Sequence, residues 1–172
     1  SADAESSLRR AIDLATEQDM PGRAADSLHN LSWVAGLHGA DREALGHARA
    51  ALEIYRTVDD PRFLANALNN VGWYHAQLGE YATAAEYCEQ AVDTHRRTGD
   101  RFGAAQAWDS LGFVYRHLHE HARSVECYRQ SLHLMREVGD RFAAADTLYH
   151  LGGALWDAGD PDAARTAWHE AL

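Results

Sequence analysis

The chain has 172 residues and a formal charge of −10, and Ala, Val, Ile, Leu, Met, Phe, Trp, Tyr and Cys make up 46% of it. That is enough apolar material for one core or for a stack of small ones, while the acidic balance, with no basic run to offset it, makes the chain a poor holder of DNA or RNA. No apolar stretch approaches the roughly 20 residues that span a bilayer, so no membrane partner is expected, and no signal-peptide pattern opens the chain. Cys88 and Cys127 lie too far apart for a zinc site and are too few for a disulfide framework; they read as reduced thiols of a cytoplasmic protein.

The elements repeat in chain order. Residues 1–20 read as the second helix of an incomplete unit, since Ala11 and Ile12 fall 40 positions before Ala51 and Leu52. The unit 21–60 opens with Ser27-Leu28-His29-Asn30-Leu31-Ser32-Trp33-Val34 in its first helix. The unit 61–100 repeats this as Ala67-Leu68-Asn69-Asn70-Val71-Gly72-Trp73-Tyr74, and the unit 101–140 as Ala107-Trp108-Asp109-Ser110-Leu111-Gly112-Phe113-Val114. The last, 141–172, carries Thr147-Leu148-Tyr149-His150-Leu151-Gly152-Gly153-Ala154 and stops inside its second helix. Second helices keep the same register: Ala44, Ala84, Ser124 and Ala164 form one small column, and Ala51, Ala91, Ser131 and Ala171 another. Between them runs a variable column of Ala48, Cys88, Tyr128 and Trp168.

Punctuation supports helix pairs. Gly99-Asp100 and Gly139-Asp140 read as a C-terminal glycine followed by an Asp cap. Asp60-Pro61 and Asp160-Pro161 place proline at the first helical position, and Gly39, Gly79 and Gly159 mark the turn inside a unit. About nine helices of about 14–18 residues and no strand are expected. Gly72, Gly112 and Gly152 fall in mid-helix, where glycine costs about 1 kcal/mol against alanine. Close approach of the paired helix explains that recurrent cost, with Ala84, Ala91 and their equivalents expected to face the glycines. No unit buries its apolar face alone, so neighbours must stack. The cut ends suggest a piece of a longer array, which would self-associate through the exposed faces near the amino terminus and around Trp168 and Leu172.

These columns resemble the tetratricopeptide repeat. Leu68, Val71, Gly72, Ala84 and Ala91 match its pattern, as do Trp108, Leu111, Gly112, Tyr115, Tyr128 and Leu132, with Ser124 and Ser131 in place of alanine. The period is 40 rather than 34, which looks like a longer-linker variant. The resemblance implies an all-α, right-handed superhelical solenoid of antiparallel helix pairs that binds protein or peptide. A narrower resemblance rests on the loops. The repeated Gly-Asp-Arg-Phe (Gly99 to Phe102, Gly139 to Phe142) and Ala158-Gly159-Asp160-Pro161 are similar to the carboxy-terminal repeats of large actinobacterial transcription regulators of the AfsR type. That resemblance implies a sensor region preceded by DNA-binding and nucleotide-binding modules, neither of which is in this sequence. The alternative is a stand-alone scaffold that tethers protein partners.

In the resembled family the first helices line the binding groove, and its positions carry over as four rows. They are Asp26, Asn66, Gln106 and Asp146; His29, Asn69, Asp109 and Tyr149; Trp33, Trp73, Phe113 and Gly153; and Gly36, Ala76, Arg116 and Trp156. Offsets of three and four put the rows on one helix face. Side-chain amides there would grip an extended peptide backbone, aromatic residues would anchor it, and Arg116, the one cation, would take a carboxylate. The alternative reading of Trp33, Trp73 and Phe113 is as core residues between units. His117, His119 and His121 alternate across a helix end and do not share a face, so they read as exposed rather than as metal ligands. No catalytic constellation and no cofactor motif is recognisable, and the expectation is a binding module without enzymatic chemistry.

Overall fold

Small and apolar residues recurring at helical spacing demand a partner helix on either side, and the architecture follows from that demand. The computed structural model describes residues 2–58 and 60–172; Ser1, at the head of the expected 1–20 segment, and Asp59, in the unit 21–60, lie outside the described residues. Nine helices run through the described residues. They are α1 (Ala2–Glu17), α2 (Pro21–Leu37), α3 (Asp41–Tyr55), α4 (Pro61–Gln77), α5 (Tyr81–Thr98), α6 (Arg101–His117), α7 (His121–Val138), α8 (Arg141–Asp157) and α9 (Pro161–Glu170), and no strand occurs among the described residues. Each helix packs against the one before and the one after; α4 also touches α6, and α6 touches α8, so the first helices of successive units form one continuous wall.

The boundaries follow from local chemistry. Asp60, Asp100, Asp140 and Asp160 each cap the helix that follows, accepting a hydrogen bond from the backbone N–H of Arg62, Gly103, Ala143 and Ala163 respectively. Gly99 and Gly139 end α5 and α7 in the left-handed conformation, at φ 73° and 83°. Inside the third unit, His119 takes that conformation (φ 59°) at the position that Gly39, Gly79 and Gly159 fill elsewhere. The histidine trio is therefore interrupted by a turn and does not form a helix face.

The glycine seam differs from its sequence reading in one respect. A Cβ on Gly72 would stand 2.6 Å from Cys88 Sγ, and only the carbonyl of Ala84 comes close, at 3.1 Å. On Gly112 it would meet the Tyr128 ring at 2.9 Å, and on Gly152 it would run into the Trp168 indole. The residue facing each glycine thus belongs to the variable column, not to the alanines 84 and 91. Those alanines are wholly buried in the core instead. Each glycine vacates the volume that Cys88, Tyr128 or Trp168 occupies, so the cost of glycine is offset by packing of the opposite side chain. The serine that replaces alanine at position 124 is also satisfied, its hydroxyl donating to the Gly112 carbonyl at 2.8 Å. Cys88 and Cys127 are both buried, and burial pushes each thiol up to about 12. They are protonated at neutral pH and behave as small apolar residues.

Candidate peptide-binding groove

Along the wall of first helices, side chains one helical turn apart point the same way, and a cleft of about 540 Å³ opens between α2, α4, α6 and α8. Its lining brings together seven residues singled out from the sequence: His29, Asn66, Asn69, Trp73, Gln106, Asp109 and Asp146. Asn70, Ser110 and Thr147 line it as well, with Met135 from α7 and Ala143. Asn70 and Ser110 escape the four rows, although Asn30, Asn70, Ser110 and His150 form a fifth column that is polar in every unit.

Some of these polar groups are committed to holding the wall together. The Asn70 amide donates to Ser32 Oγ at 2.7 Å and stands 3.3 Å from His29 Nδ1, joining α4 to α2. Tyr74 Oη donates to the Ser32 carbonyl at 2.8 Å and covers Gly36, which therefore is not open to the cleft. Thr147 Oγ1 donates to Asp109 Oδ1 at 3.4 Å, joining α8 to α6. His150 Nδ1 lies 3.5 Å from the same oxygen. That carboxylate raises the imidazole above its ordinary value, against the opposing effect of burial. His29 is shifted the other way: burial lowers it, with Asp26 partly compensating, so it is neutral at pH 7.

Others are not committed. Asn69 Oδ1 is shielded from solvent yet has no hydrogen-bond partner within the described residues. Asp146 is exposed and makes no ion pair or side-chain hydrogen bond among the described residues. A sheltered acceptor without a donor is costly unless something supplies one.

The remaining groove positions lie outside this cleft. Asp26 accepts from Tyr55 Oη at 2.5 Å and lines a separate depression against α1. Trp33 is 61% and Tyr149 64% exposed, the latter with its ring 5.9 Å from that of His150. Phe113 packs on Trp73 at 5.3 Å between ring centroids, both half-buried; Trp73 serves the contact between units and the rim of the cleft at once, whereas Phe113 serves the contact alone. Arg116 is not a free cation. Its Nε donates to Asp157 Oδ2 at 2.5 Å and its guanidinium lies over Gly153, so a ligand carboxylate would have to displace Asp157.

Two other features carry less. A hollow of about 480 Å³ between α5, α6 and α7 contains His95, Asp100 and Trp108, but Asp100 is already occupied by the Gly103 N–H and lies 3.1 Å from His95. His117 stacks on Tyr81 and meets Phe113 at a tilt, and His119 meets His121 edge to face. Among the described residues no three His, Cys, Asp or Glu side chains gather in a set able to hold a metal ion. No described helix is long and apolar enough to cross a membrane.

Comparison with known proteins places this geometry in a class. Two family models, both described as tetratricopeptide repeat, match residues 24–58 and 64–98 and residues 103–172, most of the chain between them. The chain belongs to the tetratricopeptide repeat proteins, and it is a protein-interaction repeat domain. Among solved structures, BtubC from P. vanneervenii aligns with a TM-score of 0.83 at 21% identity, over 99% of this chain and 70% of that one. A Rap protein complexed with Competence and Sporulation Factor aligns with a TM-score of 0.78 at 16% identity, over 98% of this chain, which spans about half (52%) of the Rap protein. A putative kinesin light chain from Podosopora anserina, with nearly identical TPR-like repeats, gives 0.69 at 13% identity, over 99% of this chain and 92% of that one. These likenesses are of fold. No curated protein sequence matches the chain.

Proposed function

We propose that the cleft on the first-helix wall is the binding site for an extended peptide or a partner's extended segment, and that the chain is the sensor region of a larger cytoplasmic transcription regulator. The observation that carries the first part is Asn69, whose sheltered, unpartnered carbonyl oxygen sits among Asn66, Gln106 and Asp109 in one cleft. Carboxamides offer a donor and an acceptor each, which suits the alternating N–H and C=O of an extended backbone and is tolerant of ligand sequence. The half-buried Trp73 at the rim supplies an apolar anchor on a surface that is otherwise polar. A Rap protein of the same fold, crystallised with Competence and Sporulation Factor, supports reading such a solenoid as a ligand holder.

The regulatory part rests on the loop wording that resembles AfsR-type regulators. Upstream nucleotide-binding and DNA-binding modules would then be restrained or released as the repeats bind, a population shift driven by a ligand that prefers one state. The full-length gene product tests this part: a winged-helix and a nucleotide-binding region before the repeats support it, whereas repeats alone favour the tethering scaffold. The groove is tested by capture of partners on the wild-type chain, Asn69→Ala and Trp73→Ala, read by mass spectrometry. Partners lost with Asn69→Ala at an unchanged melting temperature support the site. Capture indifferent to both substitutions overturns it.

A further inference from the structure

Every charge that faces the cleft has the same sign. Asp109 contributes from α6 and Asp146 from α8, and the two are linked through Thr147, which follows Asp146 in the chain and donates to Asp109. No Lys or Arg lines the cleft; of the two imidazoles beside it, His29 is held neutral by burial, while His150, 3.5 Å from Asp109 Oδ1, is raised by that carboxylate and answers part of its charge. The cation that the sequence offers to this face, Arg116, is bound to Asp157. Asp146 has no partner of its own among the described residues, and Asn69 Oδ1 is an acceptor awaiting a donor. The cleft lining is therefore rich in acceptors and carries no Lys or Arg; His150 beside it is turned to Asp109, which leaves Asp146 unanswered.

Resting on the peptide-groove reading above, we infer that the cleft selects peptides carrying a cation, with a Lys or Arg side chain seated between Asp109 and Asp146 and the flanking backbone held by Asn69. A donor-rich side chain answers the unpaired carboxylate and benefits from a site partly shielded from water, where a charge-assisted hydrogen bond is strongest. The half-buried Trp73 ring provides a surface for the aliphatic stem or for the guanidinium face. Selectivity is as much exclusion as attraction. An acidic segment would bring a third carboxylate into a cleft with no free cation to receive it.

The test is selection of a phage-displayed library of random peptides on the 172-residue chain, followed by titration of the winning sequences as synthetic peptides. The expected winners share one Lys or Arg at a fixed position. Its replacement by Gln weakens binding about tenfold or more. Asp146→Asn, at an exposed residue with no structural bond, produces the same loss with an unchanged melting temperature, and the two losses are not additive because they remove one interaction. Asp109→Asn gives a second reading, with its melting curve as a control for the lost Thr147 contact. Winners that are neutral or acidic, or a basic winner whose affinity ignores both Asp substitutions, overturn the inference. If such winners still lose affinity with Asn69→Ala, the groove stands and only its charge selectivity falls. If Asn69→Ala and Trp73→Ala affect no selected peptide, or the library yields no binder, both readings fall together.

Discussion

Two neighbouring asparagines show how differently the seam between helices and the cleft on the wall are built. Asn70 is engaged: its amide bonds Ser32 and faces His29, tying one unit to the next. Asn69, one residue earlier and about 100° around the helix, has a sheltered carbonyl oxygen with no partner. The same contrast holds across α6, where Gly112 gives its carbonyl to Ser124 and its volume to Tyr128, while Gln106 and Asp109 line the cleft. The seam is cross-bonded and close-packed; the cleft holds polar groups in reserve. Stability and recognition are thereby carried largely by different side chains of the same helices, and substitutions separate them.

The largest effects belong to the seam. Gly72→Leu places a branched side chain against the Cys88 sulfur and the Ala84 carbonyl, and backbone cannot step aside. Gly112→Leu collides with a Tyr128 ring that is 1% exposed. Each is expected to cost about 3 kcal/mol or more, seen as a lowered or lost thermal transition in circular dichroism. Gly152→Leu meets Trp168, which is only half-buried and has room to swing, so a smaller loss is expected. Equal losses at all three sites would break the distinction between neighbours fixed in the core and a half-buried ring with room to swing.

Trp73→Ala belongs to both regions. It removes the Phe113 contact and part of a core cluster, so a stability loss of about 1–2 kcal/mol is expected in denaturant unfolding, accompanied by weaker partner capture. Asn70→Ala is expected to cost about 1 kcal/mol because it leaves Ser32 and His29 without their link. Asn69→Ala, by contrast, deletes an unpaired group and is expected to change stability by about 0.5 kcal/mol or less.

Acid gives a gentler probe of the seam. His95 is 1% exposed, and burial lowers its affinity for protons, with Asp100 partly compensating. Its folded value lies below the ordinary 6.5, so the folded chain binds fewer protons than the unfolded one once pH drops below about 6.5. Stability from this residue is present above that pH and lost as pH falls through the window beneath it. His29 acts in the same direction, whereas His150, with a raised value, favours the folded state at the acid end and loses that contribution as pH rises through its folded value. Melting temperature against pH should fall below about 6.5, and His95→Gln should flatten that slope.

Much of the fold is legible in the sequence, because a period of 40 carries helix, turn and cap together. Asp100 and Gly99 are assignable from local chemistry alone. The identity of the residue facing each glycine is not legible. That contact depends on volumes matched across two helices, and a column varying from Ala48 to Trp168 does not announce itself as the counterpart of a recurrent glycine. The ties between first helices are hidden for a geometric reason. They fall at separations of 38, 41 and 42 residues (Ser32 to Asn70, Arg116 to Asp157, Ser32 to Tyr74), so repeats aligned at 40 never set the partners side by side. This is why Arg116 reads as a free cation, and the groove as mixed in charge, when the repeats are simply aligned.

The separation of seam from cleft is tested most directly by calorimetric titration of one peptide, selected on the wild-type chain, into wild type, Asn69→Ala and Asn70→Ala, with melting temperatures measured on the same samples. The account predicts that Asn69→Ala loses about tenfold or more in affinity at an unchanged melting temperature, while Asn70→Ala melts lower. Wild-type affinity in Asn69→Ala would contradict it, as would a melting temperature that falls as far with Asn69→Ala as with Asn70→Ala.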